Sequence, residues 1–216
     1  MATPVPISFG IVNGTPVFMD IARDCYFRLE HDEECAFLAS LKKIEQPFQP
    51  IVHGFVRSSE RHEWRLQPIC LPPPATCALP SGAESPKISK VLSVARLLLA
   101  VRRALRTLPI AAILSPLSRP ASGNLSTDFD PIASASEFRN ARRLVPISGN
   151  CLSESLGLIR WLAEHGGGAT LVFGVKLDPF AAHCWIESRD TVLNDHPERV
   201  GRFTRVRTIE CAPATR

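Results

Sequence analysis

Apolar residues along this chain fall into three patterned blocks. In the first, Ile7 to Val12 precedes Asn13-Gly14, a dipeptide that favours a tight hairpin. Val17 to Ile21 and Cys25 to Leu29 read as a second and third strand, parted by a turn at Ala22-Arg23-Asp24. Asp32 then caps a predicted helix over Glu33 to Lys43, with Cys35, Ala36, Leu38, Ala39 and Leu41 as its apolar stripe. Ile51 to Val56 reads as a short second helix, and Trp64 to Ile69 fits neither period well. The second block is a long amphipathic helix from Lys87 to about Leu108, followed by proline-rich loop. In the third, Cys151 to His165 forms a helix stopped by Gly166-Gly167-Gly168, with Leu152, Leu156, Ile159 and Ala163 on one face. Strands are expected over Ala169–Leu177, Ala182–Glu187 and Thr191–Asp195, with a turn at Asp178-Pro179.

Composition narrows the class. With 45% hydrophobic residues in 216, the chain buries a core and is not disordered. Seven cysteines, an odd number, argue against a disulfide scaffold. Arg96, Arg102, Arg103 and Arg106 interrupt the longest apolar stretch, so it reads as amphipathic and not membrane-spanning. The first residues carry no basic start and no apolar signal segment, so a cytoplasmic protein with reduced thiols is expected. Charge is unevenly spread. Residues 1–80 hold 7 Lys/Arg against 9 Asp/Glu, 81–145 hold 10 against 4, and 146–216 hold 8 of each. The ordinary reading of the basic middle helix is a packing helix with a solvated face; a basic groove for an acidic peptide or nucleotide is the alternative. Interleaved aromatics for single-stranded RNA are missing, and neither nucleic acid nor membrane is expected as a partner. Pro72-Pro73-Pro74 and Pro80-Ser81-Gly82 mark a connection, dividing the chain into 1–80, 81–145 and 146–216.

Candidate chemistry lies in the last block. Cys151 stands at the first turn of its helix, capped by either Ser148 or Asn150. Partial positive charge and free amides at a helix N-terminus favour thiolate over thiol and suit an oxyanion. If Ala182–Glu187 and Thr191–Asp195 pair around Arg189, then Glu187 faces Thr191, Trp185 faces Leu193 and His183 faces Asp195. A carboxylate opposite His183 accepts its N–H and orients it as a base. Alternation puts His183, Trp185 and Glu187 on one face and turns Cys184 away from the chemistry. A zinc set of Cys151, His183, Cys184 and Cys211 is the competing reading, weakened by the absence of any C-x-x-C or H-x-x-x-H pair. His196 is an alternative base, on the opposite parity from Asp195. Cys25 and Cys35 read as small core residues.

The run Cys151-Leu152-Ser153-Glu154-Ser155-Leu156, the triple glycine, Leu171-Val172-Phe173-Gly174-Val175, Asp178-Pro179-Phe180-Ala181-Ala182-His183-Cys184-Trp185-Ile186-Glu187 and Val192-Leu193-Asn194-Asp195 resembles the transglutaminase-like domain of lasso-peptide maturation B proteins. These are leader peptidases of ribosomally made peptides. The resemblance implies Cys151 as nucleophile, His183 as base and Asp195 as orienting carboxylate. Cys184 replaces the usual alanine between His and Trp. Val17-Phe18-Met19-Asp20 and Cys25-Tyr26-Phe27-Arg28-Leu29 are similar to the precursor-recognition module of that family. The fold implied is α+β: a winged-helix-like recognition module of three strands plus helices, and a transglutaminase/papain-like cysteine peptidase domain. The leader of the precursor peptide adds as a strand beside the third strand, bordered by Tyr26, Phe27 and Leu29. An ATP-dependent macrolactam synthetase is the implied partner, and no cofactor or metal is needed. A transglutaminase-like acyltransferase and a non-catalytic peptide-binding scaffold are the alternatives.

Overall fold

The computed structural model describes residues 7–42, 74, 76–77, 85–117 and 129–213. The expected Ile51–Val56 helix, Trp64–Ile69 and most of the proline-rich connection lie outside the described residues. In chain order the elements are β1 (Ile7–Val12), β2 (Thr15–Asp20), β3 (Cys25–Phe27), α1 (His31–Lys42), β4 (Thr76–Cys77), α2 (Ile88–Thr107), α3 (Ile110–Leu114), α4 (Pro131–Arg142), α5 (Cys151–Glu164), β5 (Ala169–Lys176), β6 (Ala181–Ser188), β7 (Thr191–Val192), α6 (Pro197–Val200) and β8 (Thr204–Cys211). The described residues form a mixed α+β structure with two sheets, one ordered β1-β2-β3 and one ordered β4-β7-β6-β5-β8.

The N-terminal sheet is an antiparallel meander. Asn13 and Gly14 both take positive φ, 49° and 85°, and close the β1–β2 hairpin with Val12 opposite Thr15. Asp20 accepts the Ala22 and Arg23 amides at 2.9 and 3.1 Å, which bends the chain into β3. Alternation gives this sheet two buried faces. Ile7, Phe9 and Phe18 pack with Leu29 of the following loop and Phe37 of α1. Val12, Val17 and Met19 face the other way, into the core of the C-terminal sheet. β1 lies against β8 so closely that a Cβ on Gly10 would sit 2.4 Å from the Arg205 carbonyl oxygen. Of the three strands and three helices expected for a winged-helix-like module, the described residues hold the three strands and α1. Helix α1 begins before Asp32, which therefore sits in the first turn and not at the cap. Its buried anchor is Phe37; Cys35 is exposed, as is Cys25 on β3, so neither is the core residue expected.

The C-terminal sheet is covered by helices on one face. Val94, Leu97, Leu98 and Val101 of α2 recur at helical spacing and enter the same core as α5. Helix α5 is buried nearly all round, with Leu156, Leu158, Ile159, Trp161 and Leu162 inside. The basic middle helix thus packs as the ordinary reading expects, and its apolar stripe belongs to the C-terminal core. The sequence pattern predicts none of β4, α3, α4, α6 or β8, and two of these matter most. Helix α4 lies within the expected proline-rich loop, started by Asp130, whose carboxylate accepts the Ile132 and Ala133 amides, with Pro131 at the first helical position. Strand β8 pairs with β5, and its arginines mask the period; Arg205 is buried against Glu187 at 2.9 Å. No helix among the described residues is long and apolar enough to cross a membrane.

Replacement of Gly10 by alanine should force β1 from β8 and lower the unfolding free energy by about 1–3 kcal/mol, the usual cost of overpacking. Urea denaturation of the whole chain measures it. An unchanged midpoint would show that the two sheets do not depend on this approach.

Candidate active site

The loop leading into Cys151 is held by arginines from the basic middle segment. Arg142 sets Nε against both Glu154 carboxylate oxygens at 2.9 and 2.8 Å and donates to the Val145 and Ile147 carbonyls at 2.9 and 2.6 Å. Arg102 donates to the Ser148 carbonyl at 3.1 Å. Asn150, not Ser148, then caps α5: its Oδ1 accepts the Ser153 amide at 2.9 Å, and Ser153 Oγ accepts the Asn150 amide at 3.0 Å. Cys151 follows as the first helical residue, half-buried, at the positive end of the helix dipole.

His183 and Asp195 meet, by a route other than the one the pattern predicts. The hairpin closes in two residues, with Arg189 at φ 53°, so Ser188 faces Thr191 and Glu187 faces Val192. The expected three-residue loop is one residue too long, and the expected Trp185–Leu193 and His183–Asp195 register does not form. Strand β7 also ends at Val192 and does not reach Asp195. Beyond it the chain bends away from the ladder, and Asp195 arrives by side-chain reach: His183 Nε2 lies 2.6 Å from Asp195 Oδ2. Both groups are 8% exposed. The second carboxylate oxygen accepts the His196 amide at 2.8 Å. His196 itself is exposed at the start of α6.

With β7 so short, the backbone of β6 between Cys184 and Ile186 lacks a neighbouring strand on that side. Side chains and the departing chain fill the edge. The Leu193 amide donates to the Ile186 carbonyl at 2.8 Å, and the Ile186 amide donates to Asn194 Oδ1 at 2.8 Å. Ser155, one turn along α5 from Cys151, donates to the Cys184 carbonyl at 3.2 Å. The Cys184 amide and thiol both engage Cys151. Cys184 does lie on the core face, opposite His183, as alternation requires. Because α5 docks against that face, Cys184 touches Cys151 and does not point away from it.

Aromatic rings wall the imidazole. The Trp185 ring stacks 5.8 Å from His183 and Phe203 lies 5.2 Å from it, centroid to centroid. Gly174, opposite His183, makes room; a Cβ there would lie 2.7 Å from the Trp185 indole. The indole N–H and Arg205 both donate to Glu187 Oε1, at 2.5 and 2.9 Å.

Electrostatics follow from this geometry. Hydrogen bonds from Cys184, then from His183, overcome burial and lower the Cys151 pKa to about 4. The Asp195 hydrogen bond, then Cys151, raise His183 to about 9. Burial pushes Asp195 up, but the His183 and His196 bonds and the Arg199 charge outweigh it and hold the carboxyl below its usual range. Cys184 is raised well above an ordinary thiol, chiefly by Cys151, and stays protonated as a donor. The pair is therefore thiolate and imidazolium at neutral pH.

The N-terminal sheet reaches this site. Tyr26 of β3 is half-buried and meets the exposed Phe180 ring edge-on at 6.0 Å. Burial, then the nearness of Cys184, Asp24 and Cys151, push its phenol up. Phe27 stacks on Phe18 at 5.1 Å, and Leu29 is 8% exposed within the aromatic core of the module. Cys211 lies apart at the end of β8, its thiol toward the Ile209 carbonyl at 3.7 Å. Among the described residues no group of three or more His, Cys, Asp and Glu side chains is placed to hold a metal ion.

Thiolate at Cys151 forms as pH rises through about 4, and its imidazolium partner is lost as pH rises through about 9. Iodoacetamide should therefore modify Cys151 near its plateau rate at pH 6, where an unperturbed thiol of pKa about 8.5 is almost wholly protonated. Mass spectrometry of the modified peptide across pH measures this. A midpoint near 8.5 would contradict the ion pair.

Comparison with known proteins assigns the family. The family model of the transglutaminase-like superfamily matches residues 95–208, just over half of the 216 residues. No curated protein and no solved structure matches the chain. The matched span runs from within α2 to within β8 and includes Cys151, His183 and Asp195. A domain of this kind fits cysteine-peptidase or acyltransferase chemistry. The chain belongs to the transglutaminase-like superfamily.

Proposed function

We propose that this protein is a cysteine peptidase that removes the leader from a lasso-peptide precursor. The observation that carries the catalytic part is the convergence of a helix-start cysteine and a carboxylate-bound histidine, His183 Nε2 to Asp195 Oδ2 at 2.6 Å. Cys151 thiolate attacks the scissile carbonyl carbon, and the developing oxyanion draws on the free amides of the first turn of α5. His183 gives its proton to the leaving amine as the C–N bond breaks, leaving a thioester. Neutral His183 then takes a proton from water, whose oxygen attacks the thioester; the carboxylate product leaves and the thiolate returns. Asp195 holds the ring with Nε2 engaged and Nδ1 toward the thiol.

Residues 1–80 act in this reading as the recognition part, 81–145 as connection and basic helix, and 146–216 as reactive core. β3 pairs only with β2 among the described residues, so a leader strand adds along its other side. Tyr26 and Phe27 border that strand, with Leu29 beneath them. The nearness of Tyr26 to Cys151 supports passage of the peptide from sheet to thiol within one chain, which raises its effective concentration at the site. The freed N-terminus passes to an ATP-dependent macrolactam synthetase, in the cytoplasm and without a cofactor. With an amine acceptor in place of water the same thioester gives acyl transfer.

Cys151→Ala in the full chain should abolish processing of the cognate precursor while leaving leader binding within about twofold, read by mass spectrometry and by fluorescence anisotropy of labelled leader. Continued processing would leave only the scaffold reading. Loss of binding in a folded Tyr26→Ala variant supports the recognition half, and undetectable leader binding to the unmodified chain removes it. Asp195→Asn should lower turnover on the order of 10²–10⁴-fold through misorientation of His183.

A further inference from the structure

Among the groups outside the reacting set, one buried polar chain connects the nucleophile helix to the base-bearing hairpin. Ser155 Oγ donates to the Cys184 carbonyl at 3.2 Å and accepts from Asn194 Nδ2 at 2.9 Å. Asn194 Oδ1 accepts the Ile186 amide at 2.8 Å. Ser155 has no exposed surface. Its hydroxyl has one donor and is using it, and it accepts at the same time. Residue 184 is thereby met twice from α5: its amide by Cys151 and its carbonyl by Ser155, four residues and one turn apart. Asn194 meets the next edge amide along β6 and is followed at once by Asp195.

We propose that Ser155 and Asn194 are positioning residues, a side-chain clamp that stands in for the missing length of β7 and sets the distance between the Cys151 thiol and the His183–Asp195 pair. The main chain cannot do this. In the observed register Glu187 faces Val192, so further pairing would carry His196, and not Asp195, opposite His183. By satisfying the Ile186 amide with a side chain, Asn194 lets the backbone leave the ladder and turn the Asp195 carboxylate back toward His183. By binding Ser155, the same amide group ties that bend to the helix that carries Cys151. A backbone pairing fixes neither link, and an apolar residue at either position leaves buried donors and acceptors unmet.

The inference rests on the thiol chemistry proposed for Cys151, but on nothing about the leader. Its test needs no peptide. Ser155→Ala, Asn194→Ala and the double variant are compared with the parent by the pH dependence of Cys151 alkylation and by NMR titration of the His183 ring. The clamp predicts that in each folded variant the alkylation midpoint rises by about one pH unit or more and the His183 midpoint falls, with the double variant no worse than the more severe single one. Residues that merely stabilise the fold would lower the melting temperature and leave both pH profiles superimposed on the parent, and that result overturns the proposal. A parent whose Cys151 midpoint is that of an ordinary thiol overturns the thiol reading and the clamp together. If the alanine variants do not fold, hydrogen exchange of the Ile186 amide in the unmodified chain decides. Protection comparable to the paired amides of β5 supports the clamp, and exchange at the rate of an open strand edge overturns it.

Discussion

The early end of β7 is the constraint on which the site depends. A strand that runs beside β6 for its full length would seal its edge and leave no room for a catalytic group. Here pairing stops after Ser188–Thr191 and Glu187–Val192. The polar backbone beyond must still be satisfied, because unmet N–H and C=O groups in an interior are costly. They are met by Leu193, by the Asn194 amide, by Ser155 and by Cys151. Cys151 is thus one of the groups that complete the sheet, which explains why its sulfur sits against the Cys184 amide and thiol.

That placement also accounts for the charge state. A thiolate at the start of α5 gains from the helix dipole and from donors that cannot leave. An imidazolium beside Asp195 gains from a carboxylate that three neighbours keep ionised. Each member stabilises the charged form of the next. The aromatic walls of Trp185 and Phe203 exclude water from the ring without competing for its protons. Around this centre the basic middle segment acquires a concrete role: Arg142 and Arg102 bind the carbonyls of the loop that delivers Cys151 to its helix cap.

The N-terminal sheet is bound into the same interior. Val12, Val17 and Met19 share a core with β8, and Gly10 allows the close approach. The N-terminal sheet and the cysteine-bearing domain therefore form one packed body, with Tyr26 at the seam.

Much of the site was legible in the residues. Helix-start cysteine, β1–β2 hairpin, α2 and α5 all follow from local rules, because caps, turns and periods act over a few residues; the cap of α5 was open between Ser148 and Asn150 until the structure chose Asn150. Helix α4 had a readable start in Asp130-Pro131, obscured by the prolines around it. Strand β8 was not legible, since its arginines look solvated until Glu187 is placed beside Arg205. The register is not legible because a two-residue and a three-residue turn read alike where the turn residue is Arg189, which only the tertiary fold holds at positive φ. Alternation gives Cys184 its face but not its neighbour, since parity says where a side chain points and not which helix docks there. The sequence alone determined which groups are candidates for the chemistry: Cys151, His183 and Asp195. Only the tertiary structure decided how they meet, because their contact is made by side chains across a gap in the sheet, and no local periodicity encodes a gap.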